Sequence, residues 1–162
     1  MIETSRRSAL LAGASAVGIA LAGCLSDGTE SWETDEVISV TAATMYSGPS
    51  CDCCDVYAEY LEDSLTTNLE TVVPEDIVAL KDDRGIETGL RSCHTVELDD
   101  YLVEGHVPAE TVAMLLEDEP DISGIALPGM PAGSPGMGGT KDETWTVYEI
   151  RPGDEPAVYT EL

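Results

Sequence analysis

The chain has 162 residues and a formal net charge of -25, from 32 acidic residues against 7 Lys and Arg. An imbalance of this size repels phosphates and excludes a nucleic-acid partner. The length suits a single domain with its own core, and the soft ligand supply is small: five cysteines and two histidines.

Ser5-Arg6-Arg7 supplies a twin-arginine n-region, and the apolar small-residue stretch from Ser8 to Ala22 ends in Leu21-Ala22-Gly23-Cys24. At about 15 residues this stretch falls short of the ~20 needed by a membrane-spanning helix. Residues 1–23 are therefore expected to be an export signal. The Leu-Ala-Gly-Cys ending resembles a lipobox, which makes Cys24 the lipidated first residue of the mature chain; a plain cleaved signal with an incidental Cys is the alternative. Residues 24–35 follow as an acidic tether with too little apolar content to fold alone. Residues 36–162 form the domain, held at the outer face of the cell membrane. Acidic residues recur throughout it, as at Glu59, Glu62, Asp63, Asp82, Asp83 and Glu117 to Glu119. That spread resembles proteins of salt-loving microbes, where a Debye length of ~3 Å at ~1 M salt screens the self-repulsion. An acidic protein from a low-salt source is the alternative.

Glu36 to Tyr46 reads as a first strand that delivers the chain to Ser47-Gly48-Pro49-Ser50. A helix is expected from Asp52 to about Leu65, with Val56, Tyr57, Tyr60, Leu61 and Leu65 on its apolar face. Asn68 to Val73 is a candidate strand, and Pro74 to about Asp83 a short helix. Cys93 to Leu98 and Tyr101 to Glu104 flank Asp99-Asp100 as a hairpin. Pro108 opens another helix, through about Glu117. The stretch from Pro128 to Met137 is too rich in Pro and Gly for regular structure. Thr144 to Ile150 and Ala157 to Leu162 close the chain as two strands. Strands alternating with helices and ending in a hairpin predict an α/β sandwich, a central mixed sheet flanked by helices in the order of a thioredoxin-like fold.

The chemistry is concentrated in Cys51-Asp52-Cys53-Cys54, at a strand-to-helix turn where the helix N-terminus favours thiolates. Thiolates select Cu(I), Zn(II) or iron-sulfur clusters. Cys51 and Cys54 alone have the Cys-x-x-Cys spacing of a redox dithiol, and in an exported protein structural disulfides are a third reading. Adjacent Cys53 and Cys54 pair with each other only under strain. Cys93-His94 opens the hairpin, and the segment Gly89 to Thr95 resembles the stretch where thioredoxins carry a proline facing their dithiol; on that comparison His94 takes the proline's place with Cys93 beside it, a thiol and an imidazole for a residue that binds no metal. His106, between strand and helix, is either a ligand or a polar cap. Met130 and Met137 lie in a loop of small residues and Pro, with no apolar face to fill, and thioether is a soft Cu(I) ligand.

Four segments, Tyr46 to Cys54, Ser92 to Thr95, Glu104 to Pro108 and Pro128 to Met137, together resemble a bacterial and archaeal family of copper-associated proteins that includes the CopG copper-resistance proteins. The resemblance implies an exported, thioredoxin-like protein that handles copper. It places the family's three thiols on Cys51, Cys53 and Cys54, its Cys-His pair on Cys93 and His94, and its loop methionines on Met130 and Met137. Asp52 departs from the usual Gly, and Tyr57 replaces a usual Trp while keeping an aromatic wall. The expected protein is a lipid-anchored, extracytoplasmic copper-binding protein. It holds Cu(I), with a multinuclear cluster open to it, through Cys51, Cys53, Cys54, Cys93, His94, His106, Met130 and Met137, and exchanges it with a donor or acceptor protein. A thiol-disulfide or copper-redox enzyme built on Cys51 and Cys54, and a Zn(II) site, are the alternatives.

Overall fold

Alternation of buried and half-exposed side chains makes β1, Ala43–Ser47, a strand with Ala43, Met45 and Ser47 facing inward. The computed structural model describes Trp32 and residues 34–162. The expected export signal, Cys24 and most of the tether lie outside the described residues. Helix α1 spans Asp52–Glu62, β2 Leu69–Val72, α2 Ile77–Asp83, β3 His94–Leu98, β4 Tyr101–Glu104, α3 Ala109–Asp118, β5 Gly124–Ala126, β6 Thr146–Ile150 and β7 Val158–Glu161. A short 3-10 turn at Thr88–Leu90 precedes β3. Among the described residues no helix is long and apolar enough to cross a membrane.

The strands form one mixed sheet in the order β2-β1-β3-β4-β5-β6-β7. β1 runs parallel to β2 and antiparallel to β3, while β4 runs antiparallel to β3 and parallel to β5. This βαβ unit followed by a hairpin and a helix is the thioredoxin-like order expected from the sequence. Helices α1 and α3 cover one face through Tyr57, Leu61, Val112 and Leu115, packed with Met45 and Val103. Ile86, Leu90, Leu102, Ala126 and Ile150 form a smaller core on the other face. Neighbouring residues such as Leu102 and Val103 therefore point into different cores, as the period of two requires.

Two boundaries differ from expectation for local reasons. The first strand starts at Ala43 rather than Glu36, because the Asp99 carboxylate accepts from the amides of Thr41 and Ala42, both at 3.0 Å, and bends the chain there. Among the described residues before it, Ile38 alone pairs, in an isolated bridge to Leu65. α2 begins at Ile77 rather than Pro74, because the Asp76 side chain caps it by accepting from Val78 N at 2.9 Å and Ala79 N at 3.0 Å. Trp32, within the expected tether, donates its indole N–H to the Gly133 carbonyl at 2.8 Å and packs on Trp145, with ring centroids 5.8 Å apart.

Candidate metal centre

Strand register brings four distant segments to one end of the sheet. Ser47, the last residue of β1, lies opposite His94, the first of β3. The loop that carries Cys51 therefore leaves the sheet beside Cys93. Glu104, at the end of β4, lies opposite Thr95 and beside Ala126. That pairing puts His106 and the loop after Leu127 at the same rim, outside the strand ends where ligands bind in open α/β sheets.

Cys51 occupies the N-cap of α1, and its carbonyl accepts from the amides of Cys54 at 2.9 Å and Asp55 at 3.2 Å. Helical spacing then sorts the cysteines. Cys54 joins Tyr57 and Leu61 on the buried face, while Cys53 stays partly exposed toward the rim. Cys51 and Cys54 are joined as a disulfide, with Cα atoms 5.2 Å apart, and Cys53 and Cys93 are free. Cys53 Sγ lies 3.6 Å from Cys51 Sγ and 4.0 Å from Cys93 Sγ. The expected set of thiolates thus contains one oxidised pair, whose sulfurs offer thiolate only after reduction. All four sulfurs lie within 4.8 Å of one another, close enough to share metal ions once reduced.

Cys93 is the hub. Its Sγ lies 3.3 Å from His94 Nδ1 and 3.3 Å from His106 Nε2. His106 Nδ1 donates to the Pro135 carbonyl at 2.6 Å. Since a carbonyl only accepts, the proton sits on Nδ1 and Nε2 presents its lone pair to the sulfur, the usual way a ligating imidazole is oriented. In the metal-free chain the thiol can donate to His106 Nε2 and accept from His94 Nδ1–H, so hydrogen bonds alone satisfy the three atoms. A soft cation, by contrast, accepts electron pairs from all three atoms.

The protonation states suit that role. Burial lowers the His94 pKa well below its ordinary value, with the charges of His106 and Lys81 adding to the effect. Burial lowers that of His106 too, against the pull of the Pro135 carbonyl. Both rings are neutral at neutral pH, the form that binds metal. Burial pushes the Cys93 thiol up to about 11, so a metal must displace its proton to bind there.

Tyr57 walls the site. Fully buried, it donates its hydroxyl to the Val107 carbonyl at 2.8 Å, stacks on His94 at 4.6 Å and meets the edge of His106 at 5.2 Å. His94 Nε2 is buried without a hydrogen-bond partner, so ring packing holds this imidazole.

The Pro/Gly loop closes over α1 at Gly136. With φ +78°, a Cβ there would stand 2.9 Å from both the Cys53 carbonyl and the Tyr57 amide. Met137 follows directly and is half-buried. Met130, 40% exposed, is turned in part to solvent. The structure therefore gathers Cys51, Cys53, Cys54, Cys93, His94 and His106, and turns His106 Nε2 toward the Cys93 sulfur.

Lys81 and Glu104 beneath the site were not expected. A lone Lys in an acidic helix gives no signal in the sequence. A carboxylate on the inward side of a central strand, two residues from Leu102, does.

A family model described as a protein of unknown function, DUF411, matches residues 90–137. Two solved structures of copper resistance protein CopG, Form 1 and Form 2, are similar to this chain at 31% identity, with TM-scores of 0.66 and 0.67. Each match covers 78% of this chain, and 98% and 99% of the respective CopG chain. No curated protein matches the sequence.

Proposed function

Because the chain belongs to the family of copper resistance protein CopG, we propose that it binds copper as Cu(I) and sequesters or relays it outside the cytoplasm. The observation that carries this reading is the position of Cys93 Sγ, 3.3 Å from two imidazole nitrogens and 4.0 Å from the free Cys53 thiol. Two sulfurs and two neutral nitrogens form a soft donor set even with Cys51 and Cys54 oxidised. Reduction adds two more sulfurs, enough to bridge several Cu(I) ions.

The leader supports the location. Twin-arginine export carries folded proteins, so the site can be assembled before the chain leaves the reducing cytoplasm. Lipidation of Cys24 then holds the domain at the outer face of the membrane, and Cys24→Ser is expected to release it into the medium. Retention of that variant on membranes would remove the anchor from the proposal.

Metal analysis of protein purified without oxidation, followed by Cu(I) titration of the reduced chain, tests the copper reading. Tight uptake is expected, sharply weakened in Cys93→Ser. Absence of tight binding, or binding undiminished when Cys51, Cys53 and Cys54 are all Ser and Cys93 is Ser as well, would sink it.

The Cys51–Cys54 disulfide favours a second reading, a thiol-disulfide enzyme. A dithiol substrate would then transfer two electrons and two protons to the bridge, leaving Cys51 and Cys54 as thiols and the substrate oxidised. Turnover that survives Cys53→Ser and Cys93→Ser but not Cys51→Ser identifies that activity.

A further inference from the structure

On the sheet face that carries α2, Lys81 and Glu104 form an ion pair with side chains 4% and 0% exposed. A buried pair is weak evidence for stability, because packed apolar residues often replace one at little cost. What distinguishes this pair is the destination of its other hydrogen bonds. Glu104 Oε1 also accepts from the Ser92 amide at 2.5 Å, and Oε2 accepts from the Thr95 hydroxyl at 2.6 Å. Lys81 Nζ donates to the Ser92 carbonyl at 2.9 Å and, at a longer 3.5 Å, to the His94 carbonyl. With Glu104 as the third acceptor, every ammonium proton is used.

The pair thus grips the backbone on both sides of Cys93. Glu104 is also the residue from which the chain turns, through Gly105 at φ +80°, into His106. A Cβ on Gly105 would stand 2.7 Å from the Leu127 carbonyl and 2.9 Å from Ser92 Oγ, so this turn is itself tightly held. One carboxylate therefore ties the segment bearing Cys93 and His94 to the strand that delivers His106.

We infer that Lys81 and Glu104 are positioning residues for the metal centre. They set the spacing of Cys93, His94 and His106 without touching the metal. This rests on the reading of those three residues as copper ligands. Metal ligands held by such outer partners typically lose about 10–100-fold in affinity when the partner is removed.

The test uses the full chain carrying Lys81→Met together with Glu104→Leu, which leaves no unpaired buried charge. Three quantities are measured: Cu(I) affinity by chelator competition, histidine nitrogen scattering in the copper X-ray absorption spectrum, and the rate at which iodoacetamide modifies Cys93 in reduced, metal-free protein. The folded double variant is expected to bind Cu(I) about 10–100-fold more weakly, to lose histidine scattering, and to be alkylated faster at Cys93. A cooperatively folded double variant with wild-type affinity, spectrum and alkylation rate overturns the inference. If the double variant does not fold, Thr95→Val, which keeps the ion pair, decides: faster alkylation of Cys93 supports positioning, and an unchanged rate overturns it. If the parent chain takes up no Cu(I), the copper reading fails by itself, and the metal-free alkylation rates still settle the role of Lys81 and Glu104.

Discussion

Burial sets the protonation of His94 and His106. Both pKa values are lowered by burial, so in the unfolded chain these rings take up protons near pH 6.5 that they refuse in the folded one. Their contribution to stability is therefore complete above about pH 6.5 and is lost as the pH falls below it toward the folded values. The metal-free chain is expected to melt at progressively lower temperature between pH 7 and about pH 5. His94→Gln should flatten that slope, and an equal slope in parent and variant would assign it to other groups. His106 shows how far residue type alone carries. As one His between a strand and a helix it has two readings, and only the fold shows that one of its nitrogens meets the Pro135 carbonyl and the other the Cys93 sulfur.

The elements matter through their ends. α1 presents Cys51 to Cys54 at its first turn, α3 lacks a side-chain cap at Pro108, and the hydroxyl of Tyr60 on α1 takes that place by accepting from Ala109 N at 2.8 Å. The loop from Leu127 to Met137 has neither helix nor strand and still holds a defined path. Gly136→Ala is expected to destabilise the chain by about 1–3 kcal/mol, since it combines a positive φ with a clash against α1 backbone. Gly138→Ala, where nothing lies within 4 Å of a Cβ, serves as the control. Denaturant titration of both compares them; equal midpoints would show that the loop yields easily and does not brace the site. The β3-β4 hairpin, the two closing strands and the helix periods are legible in the sequence because near-neighbour sterics and alternation set them, whereas the three-residue β5, Gly124–Ala126, is too short to show an alternation. The late start of β1 is not legible either, because it is set by Asp99, a residue far along the chain.

At the scale of the whole molecule, charge dominates. With 32 acidic residues against 7 basic, the folded surface repels itself at low ionic strength. Raising NaCl from about 0.1 M to about 1 M shortens the Debye length from ~10 Å to ~3 Å. The melting temperature of the metal-free chain is expected to rise across that range, and a flat or falling curve would remove self-repulsion as a factor in its stability.

What the sequence determined by itself was the supply of soft donor side chains and the thioredoxin-like succession of elements, both carried by residue types and their spacing along the chain. Tertiary structure decided which donors face one another. Cys93 meets His106 across the β3-β4 hairpin, Cys53 reaches Cys93 through the β1-β3 register, and Lys81 comes from α2 to brace them. The oxidised pairing of Cys51 with Cys54, leaving Cys53 free, also appears only there. These contacts follow from the register of paired strands and from core packing, which hold residues far apart in sequence to within a few ångströms and which no local spacing encodes.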